Sequence, residues 1–276
     1  MKPSHKPRGP STPDQVHRST IGSINLLPEN EKRVIYARVI PNELLQKYNI
    51  NPSLTDAQGY NLFQMNCPAN STNAEVSLYH KRGFPDPILY GHITDTINSQ
   101  IHILFYVLND PESPRFDIDR LPDGRLTQLG TQYRNIEAEI AAMQAGLSPG
   151  QIRQGPHLLR AAMSSFEDFI KSLDHKMHFA EPLYYHNAVT FERFGFAYQK
   201  GRRLMERIQR GFDPGGDLLP LLDESTPFRK PEAANSIHLR SWAIHDGILG
   251  EPFQNVTMYK TIDSHAQLST CSDCNW

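Results

Sequence analysis

Apolar and polar positions divide this chain into two stretches of different rhythm. In the first, apolar residues gather in short runs bounded by Pro, Gly, Asn and Ser. Lys32 to Ile40 (KRVIYARVI), Tyr60 to Cys67, Glu75 to Tyr79, Ile88 to Thr94 and Ile101 to Leu108 (IHILFYVL) read as strands. Their close spacing predicts an antiparallel meander, interrupted by a short helix that Pro41-Asn42-Glu43 opens. The rhythm changes after Asn109-Asp110-Pro111, with a loop over 110–130 punctuated by Pro111, Pro114, Pro122 and Gly124. Arg134 to Ala145 reads as a helix that Gly146 ends. His157 to Leu173 is the strongest amphipathic segment. Leu158, Leu159, Ala162, Phe166, Phe169, Ile170 and Leu173 share one face at helical spacing. Lys176 to Ala180 is a strand candidate, His186 to Phe194 a helix closed by Gly195, and Tyr198 to Arg210 a further helix. Beyond Gly211 the chain is loop-rich, with late strands expected at His238 to Ile244 and Val256 to Ile262.

These elements predict an α+β (mixed α/β) fold, a mainly antiparallel central sheet flanked by helices. Residues 1–20 carry Pro, Ser, Lys and Arg but few large apolar side chains, so they read as a disordered tail. Residues 22–262 are expected to form one globular domain and 263–276 a loose C-terminal tail.

Composition narrows the classes of function. The 276 residues carry 28 Lys+Arg against 30 Asp+Glu, a formal net charge of −2 that argues against a nucleic-acid footprint over the whole surface. No apolar run approaches the ~18 residues of a membrane span. The start has no apolar core of a secretory signal, so a cytoplasmic protein is expected. There is no Gly-x-Ser-x-Gly, Walker loop or Gly-x-Gly-x-x-Gly, which removes the commonest hydrolase, P-loop and Rossmann readings.

One stretch carries a family resemblance. Phe191-Glu192-Arg193-Phe194-Gly195-Phe196 (FERFGF), after a helix that follows a strand, resembles the Tyr-Glu-Lys/Arg-x-Gly-Phe segment of the GNAT acyl-CoA N-acyltransferases. Upstream, Pro149 to Gly155 (PGQIRQG) precedes the amphipathic helix, in the place of that family's pyrophosphate-binding turn. A helix N-terminus favours anions, and Gly lets the backbone approach closely. The likeness spans residues 85–200 and implies a GNAT-like fold with an insertion at about 110–150. It implies an acyltransferase that takes acetyl-CoA or another acyl-CoA as donor and a small-molecule or peptide amine as acceptor. By the same resemblance, Gln151, Arg153, Gln154, Gly155, His157 and Asn187 would hold the donor, with Tyr184, Tyr185 and Glu192 catalytic. Phe191 stands where the family often has its acid, so Tyr184, Tyr185 or Tyr198 would protonate the leaving thiolate. Glu181 or Glu192 would take the amine proton. A catalytically silent GNAT-like binding protein is the alternative within this fold.

Other residues suggest other chemistry. Among 12 histidines, His186 with Glu192 and His238 or His245 would make a two-His, one-carboxylate metalloenzyme. Their spacing disfavours it, since on a continuous strand His238 and His245 would fall on opposite faces. His245-Asp246-Gly247 reads as a turn cap. Cys271 and Cys274 (CSDC) read as two exposed thiols in a frayed tail, rather than half a zinc site or a redox pair. Arg203, Arg207 and Arg210 share one helix face, either an anion site or a solvated surface.

Overall fold

The computed structural model describes residues 19–127, 133–272 and 274–276. The expected tail at 1–20 lies almost wholly outside the described residues, as does the end of the 110–130 loop.

The chain enters through three short helices: α1 (Ile21–Asn25), α2 (Glu29–Tyr36) and α3 (Asn42–Lys47), the last two joined by a 3-10 turn at Ala37–Val39. Residues 32–40 are therefore not the strand that their β-branched content suggests. Pro28 at the helix start, with Glu29 and Glu31 in the first turn, favours helix there. Tyr36, Val39 and Ile40 then turn inward at helical spacing, while Val34 stays exposed.

Strands β1 (Phe63–Asn66), β2 (Asn73–Leu78), β3 (Leu89–Asp95) and β4 (Ile101–Leu108) form the expected antiparallel meander. The chain then runs through α4 (Ile136–Gln144) and α5 (Leu159–Ser172) to β5 (Met177–Ala180), which pairs parallel to β4. Next come α6 (Tyr185–Arg193), β6 (Ala197–Lys200), α7 (Arg202–Phe212), α8 (Ile237–His245) and β7 (Thr257–Thr261). The result is a mixed α+β structure with a seven-stranded, mostly antiparallel sheet, ordered β1-β2-β3-β4-β5-β7-β6 among the described residues.

Two late elements differ from expectation. The helix expected over 198–210 begins as a strand. At Gly201 the backbone has φ +92°, and a Cβ there would lie 2.8 Å from a methyl of Val256, so only glycine fits the strand-to-helix corner. The strand expected over 238–244 is helix α8, because Ser236 accepts a hydrogen bond from Leu239 N (3.3 Å) and caps it. That helix is buried on two sides. This explains why its apolar residues show no clear amphipathic period.

One sheet face is buried and the other half exposed, as the alternation in β2, β3 and β5 records. Helix α5 covers the buried face. Phe166, Phe169 and Ile170 are fully buried there, each contributing about 1.5–3 kcal/mol of apolar burial. His178 of β5 lies in this core, its ring 5.4 Å from Phe166 and 5.2 Å from Phe196. Neither ring nitrogen has a partner. Burial, with Lys260 nearby, pushes its pKa down to about 3. A second, smaller core joins the two long excursions of the chain: Ile118, Ala142, Met143 and Leu147 pack against Phe228 and Trp242. Trp242 stacks on Phe228 (5.3 Å between centroids) and donates its indole N–H to Leu147 O (2.7 Å).

The C-terminal residues, expected to be loose with exposed thiols, are held to the body. Cys271 and Cys274 are buried and joined in a disulfide. Asn275 O accepts from Ile237 N (2.8 Å). No helix among the described residues is long and apolar enough to cross a membrane.

Candidate functional site

The parallel pair β4/β5 is where the sheet opens. Its register runs only from Ile101↔His178 to Ile103↔Ala180, closed by Glu181 N donating to Ile103 O (3.2 Å). Beyond it, β4 continues to Leu108 paired with β3 alone, while β5 ends and the chain turns through Pro182 into α6. The strands separate at their carboxyl ends. In sheets with crossover helices this is where ligands bind.

Two segments flank the opening. One is the turn before α5. Gln154 O accepts from Asp110 N (2.8 Å), and Gly155 passes so close to the end of β4 that a Cβ would sit 3.5 Å from Leu108 O. Helix α5 then starts without a capping side chain at Leu158 and without an acid in its first turn, while Arg160 stands exposed there. Such a start leaves backbone N–H groups and a positive dipole end for an anion. His157 before it is exposed and holds φ +60°.

The side chains of that turn are occupied. Arg153 is buried, its Nε donating to Asp86 Oδ2 (2.9 Å) and a second nitrogen to Ser113 O. Gln151 Oε1 accepts from Ser148 N (2.7 Å), and Gln154 donates to Ala145 O (3.2 Å). These residues build the turn, whose Gln151 and Gln154 N–H groups also donate, to Ser148 O (3.2 Å) and Ser113 Oγ (3.2 Å).

The other segment is the start of α6. Asn187 Oδ1 accepts from Tyr184 N (3.2 Å), fixing the first turn, and Asn187 Nδ2 lies 3.1 Å from His186 Nε2. His186 Nδ1 lies 2.9 Å from Ser241 Oγ. Burial, with His238 and His245 nearby, pushes His186 down to about 3, so its ring is neutral at neutral pH. The Tyr184 ring stacks on His186 (5.7 Å, 21°) and meets the edge of His245 (5.7 Å). Its hydroxyl is buried without a partner. Burial and the Glu139 carboxylate raise its pKa, against a smaller opposite effect of Arg134, so the phenol stays protonated. Gly150 (φ +83°) makes room for it, since a Cβ there would lie 2.5 Å from Tyr184 Cε2.

Behind Tyr184 lies a network that sequence reasoning missed. His245 Nε2 lies 3.3 Å from Glu139 Oε1, and Arg134 Nε lies 3.1 Å from the same oxygen. Arg134 also reaches Asp246 (3.3 Å), which accepts from Thr226 (2.7 Å). Burial opposes ionisation of Glu139, but the hydrogen bonds from His245 and Arg134 outweigh it and hold its carboxyl below the ordinary value. The one trace in the sequence was a carboxylate on the inner face of an Ala- and Ile-rich helix. Asp246, read as a turn cap, is a member of this ion network.

The remaining candidates stand elsewhere. Tyr185 OH accepts from Arg240 Nη1 (3.2 Å), and Glu192 accepts from Tyr198 OH (2.5 Å), Thr270 N (2.9 Å) and Thr270 Oγ1 (2.7 Å). Glu192 sits near the far end of α6, about 12 Å along the helix from Tyr184 at 1.5 Å per residue. Glu181 is exposed. The metal reading loses its carboxylate for the same reason, and no group of three His, Cys, Asp or Glu among the described residues is placed to hold a metal ion. His238 and His245 share one face of α8, and His238 Nε2 lies 2.6 Å from Leu147 O. No protein-family model, curated protein or solved structure matches the chain.

Proposed function

We propose that this chain is a GNAT-like N-acyltransferase that moves an acyl group from an acyl-CoA to an amine. The observation that carries the reading is the opening between β4 and β5, with the uncapped start of α5 beside the end of β4. The FERFGF segment adds support, since it ends α6 and leads into β6. In this reading the donor's phosphates meet the backbone N–H groups around His157 to Arg160, and the thioester lies near Tyr184. Arg153, Gln151 and Gln154 shape the turn rather than touch the donor.

The chemistry needs a base for the amine proton and an acid for the leaving thiolate. His245 takes the first role, oriented by Glu139. The free hydroxyl of Tyr184 takes the second. Glu192 and Tyr185 are left to structure. A silent donor-binding protein is the second reading, favoured by Phe191 at the family's acid position.

Calorimetry with acetyl-CoA tests the donor site. Micromolar binding is expected, weakened about tenfold in Arg160→Glu, whose acidic first turn suits the helix dipole but repels phosphate. Absence of binding to acetyl-CoA and to free CoA overturns the reading. If wild type binds, Tyr184→Phe separates the alternatives. A fall in kcat with unchanged affinity supports the enzyme, and binding without turnover in wild type, across a panel of amines, leaves the silent protein.

A further inference from the structure

Arg240 of α8 is buried, with 1% of its surface exposed. Its guanidinium donates to Ala233 O (3.3 Å), Ala234 O, Tyr185 OH (3.2 Å), Gln209 Oε1 (2.8 Å) and Cys271 Sγ (3.3 Å), and lies over the Phe212 ring (4.6 Å). Among the described residues this cation hydrogen-bonds to no carboxylate, and the buried Glu192, whose charge acts on Tyr185, is held by Tyr198 and Thr270. A buried charge with no carboxylate in contact is costly, and of the described groups that touch this guanidinium Cys271 Sγ is the one that, once reduced, ionises most readily. In the disulfide that sulfur is bonded to Cys274 and cannot ionise, whereas in the reduced chain it can.

We propose that Cys271 and Cys274 are a redox-active pair, in which reduction turns Cys271 into the thiolate counter-ion of Arg240. A cation beside one sulfur of a C-x-x-C pair stabilises the thiolate, and with it the reduced form. The co-reactant is a dithiol, small or protein-borne. Its thiolate attacks Sγ of Cys274, the less buried residue of the pair at 9% exposure against 3% for Cys271. The S–S bond breaks, and its electron pair stays on Cys271 Sγ, facing the Arg240 N–H. The second thiol of the reductant, losing its proton, then displaces Cys274. The products are the Cys271 thiolate, the Cys274 thiol, the oxidised reductant and one proton, with two electrons transferred. A cavity of about 280 Å³ is lined by Tyr198, Gln209, Arg210 and Thr270, and its Gln209 Oε1 lies 4.0 Å from Cys274 Sγ. This inference is independent of acyl transfer.

The test uses the full chain in a Cys67→Ala background, so that the remaining thiols report the pair. Thiolate absorbance near 240 nm is titrated in the reduced, folded protein. The oxidised fraction is measured in glutathione buffers by alkylation and mass spectrometry. We expect a thiolate midpoint at least one pH unit below the ordinary ~8.5. Arg240→Gln should raise that midpoint and favour the disulfide about tenfold in the same buffer, while Arg240→Lys, which keeps the charge, should lie between. A midpoint at or above 8.5 in the folded wild type overturns the proposal, whatever the variants do. So does unfolding on reduction, seen by circular dichroism, because the bond would then be a structural staple.

Discussion

Helix α8 has a guanidinium on each side, Arg240 buried and Arg134 partly buried, and the two are satisfied in opposite ways. Toward the second core, Arg134 meets Glu139 and Asp246, both carboxylates, with His245 joining Glu139. Toward α6 and α7, Arg240 meets two carbonyls, a phenol, an amide and a sulfur. Hydrogen-bond satisfaction and charge balance are thus separate conditions. The first side meets both, and pins the 134–147 excursion to α8. The second meets the first and, among the described residues, brings no carboxylate into contact with its cation.

The largest expected effect comes from breaking the balanced side. Arg134→Met leaves the buried Glu139 carboxylate without its cation, while Asp246 keeps Arg229 at 3.6 Å, and should cost about 3 kcal/mol or more in chemical denaturation. Acidification probes the ground between the sides, because His186 bonds to Ser241 on α8 while His178 lies in the sheet core. Both have folded-state pKa values of about 3 against 6.5 unfolded, so the unfolded chain binds protons first as pH falls. Stability is therefore full above pH 6.5 and falls below it. The slope approaches about 2.7 kcal/mol per pH unit for the two groups, continuing toward pH 3. His178→Phe should halve that slope, and an unchanged slope would show that His178 is not the group responsible.

On the unbalanced side Arg240→Met should cost less than Arg134→Met, about 1–3 kcal/mol for carbonyls left without donors. Equal costs would break the contrast. Reduction of the disulfide should be the mildest change. So short a loop stabilises by roughly 2 kcal/mol at most in the chain-entropy picture. The loss should be smaller still if the Cys271 thiolate pairs with Arg240, and larger in Arg240→Gln.

Most regular elements were legible from local pattern. The meander from β2 to β4, the face of α5, and the β5, α6 and β7 segments follow period and punctuation. The misread elements are instructive. At 32–40, β-branched residues outweighed a helix start that Pro28, Glu29 and Glu31 had written. At 238–244, a helix buried on two sides lost its amphipathic signature. At 198–210, Gly201 marked a corner that periodicity alone smoothed over.

The candidate site was legible only at its edges. Tyr184, Asn187 and Gly155, singled out from the sequence, lie in the segments on either side of the β4/β5 opening. Glu192 was expected there from the family resemblance, yet a little over two turns of α6 carry it away from Tyr184. Gln151, Arg153 and Gln154 had the right chemistry for phosphate, but Asp86, Ser113, Ala145 and Ser148 engage their side chains.

By itself the sequence determined what depends on near neighbours: most helix and strand segments, their caps and corners, and the mixed class they imply. Tertiary structure alone decided that the sheet opens after Ile103 and Ala180. It alone joined Glu139 to His245 across 106 residues and set Arg240 against Cys271 across 31. Propensity and periodicity act over one or two turns of chain. The satisfaction of a buried charge depends on whichever groups the fold brings within about 3 Å, and no local pattern records that.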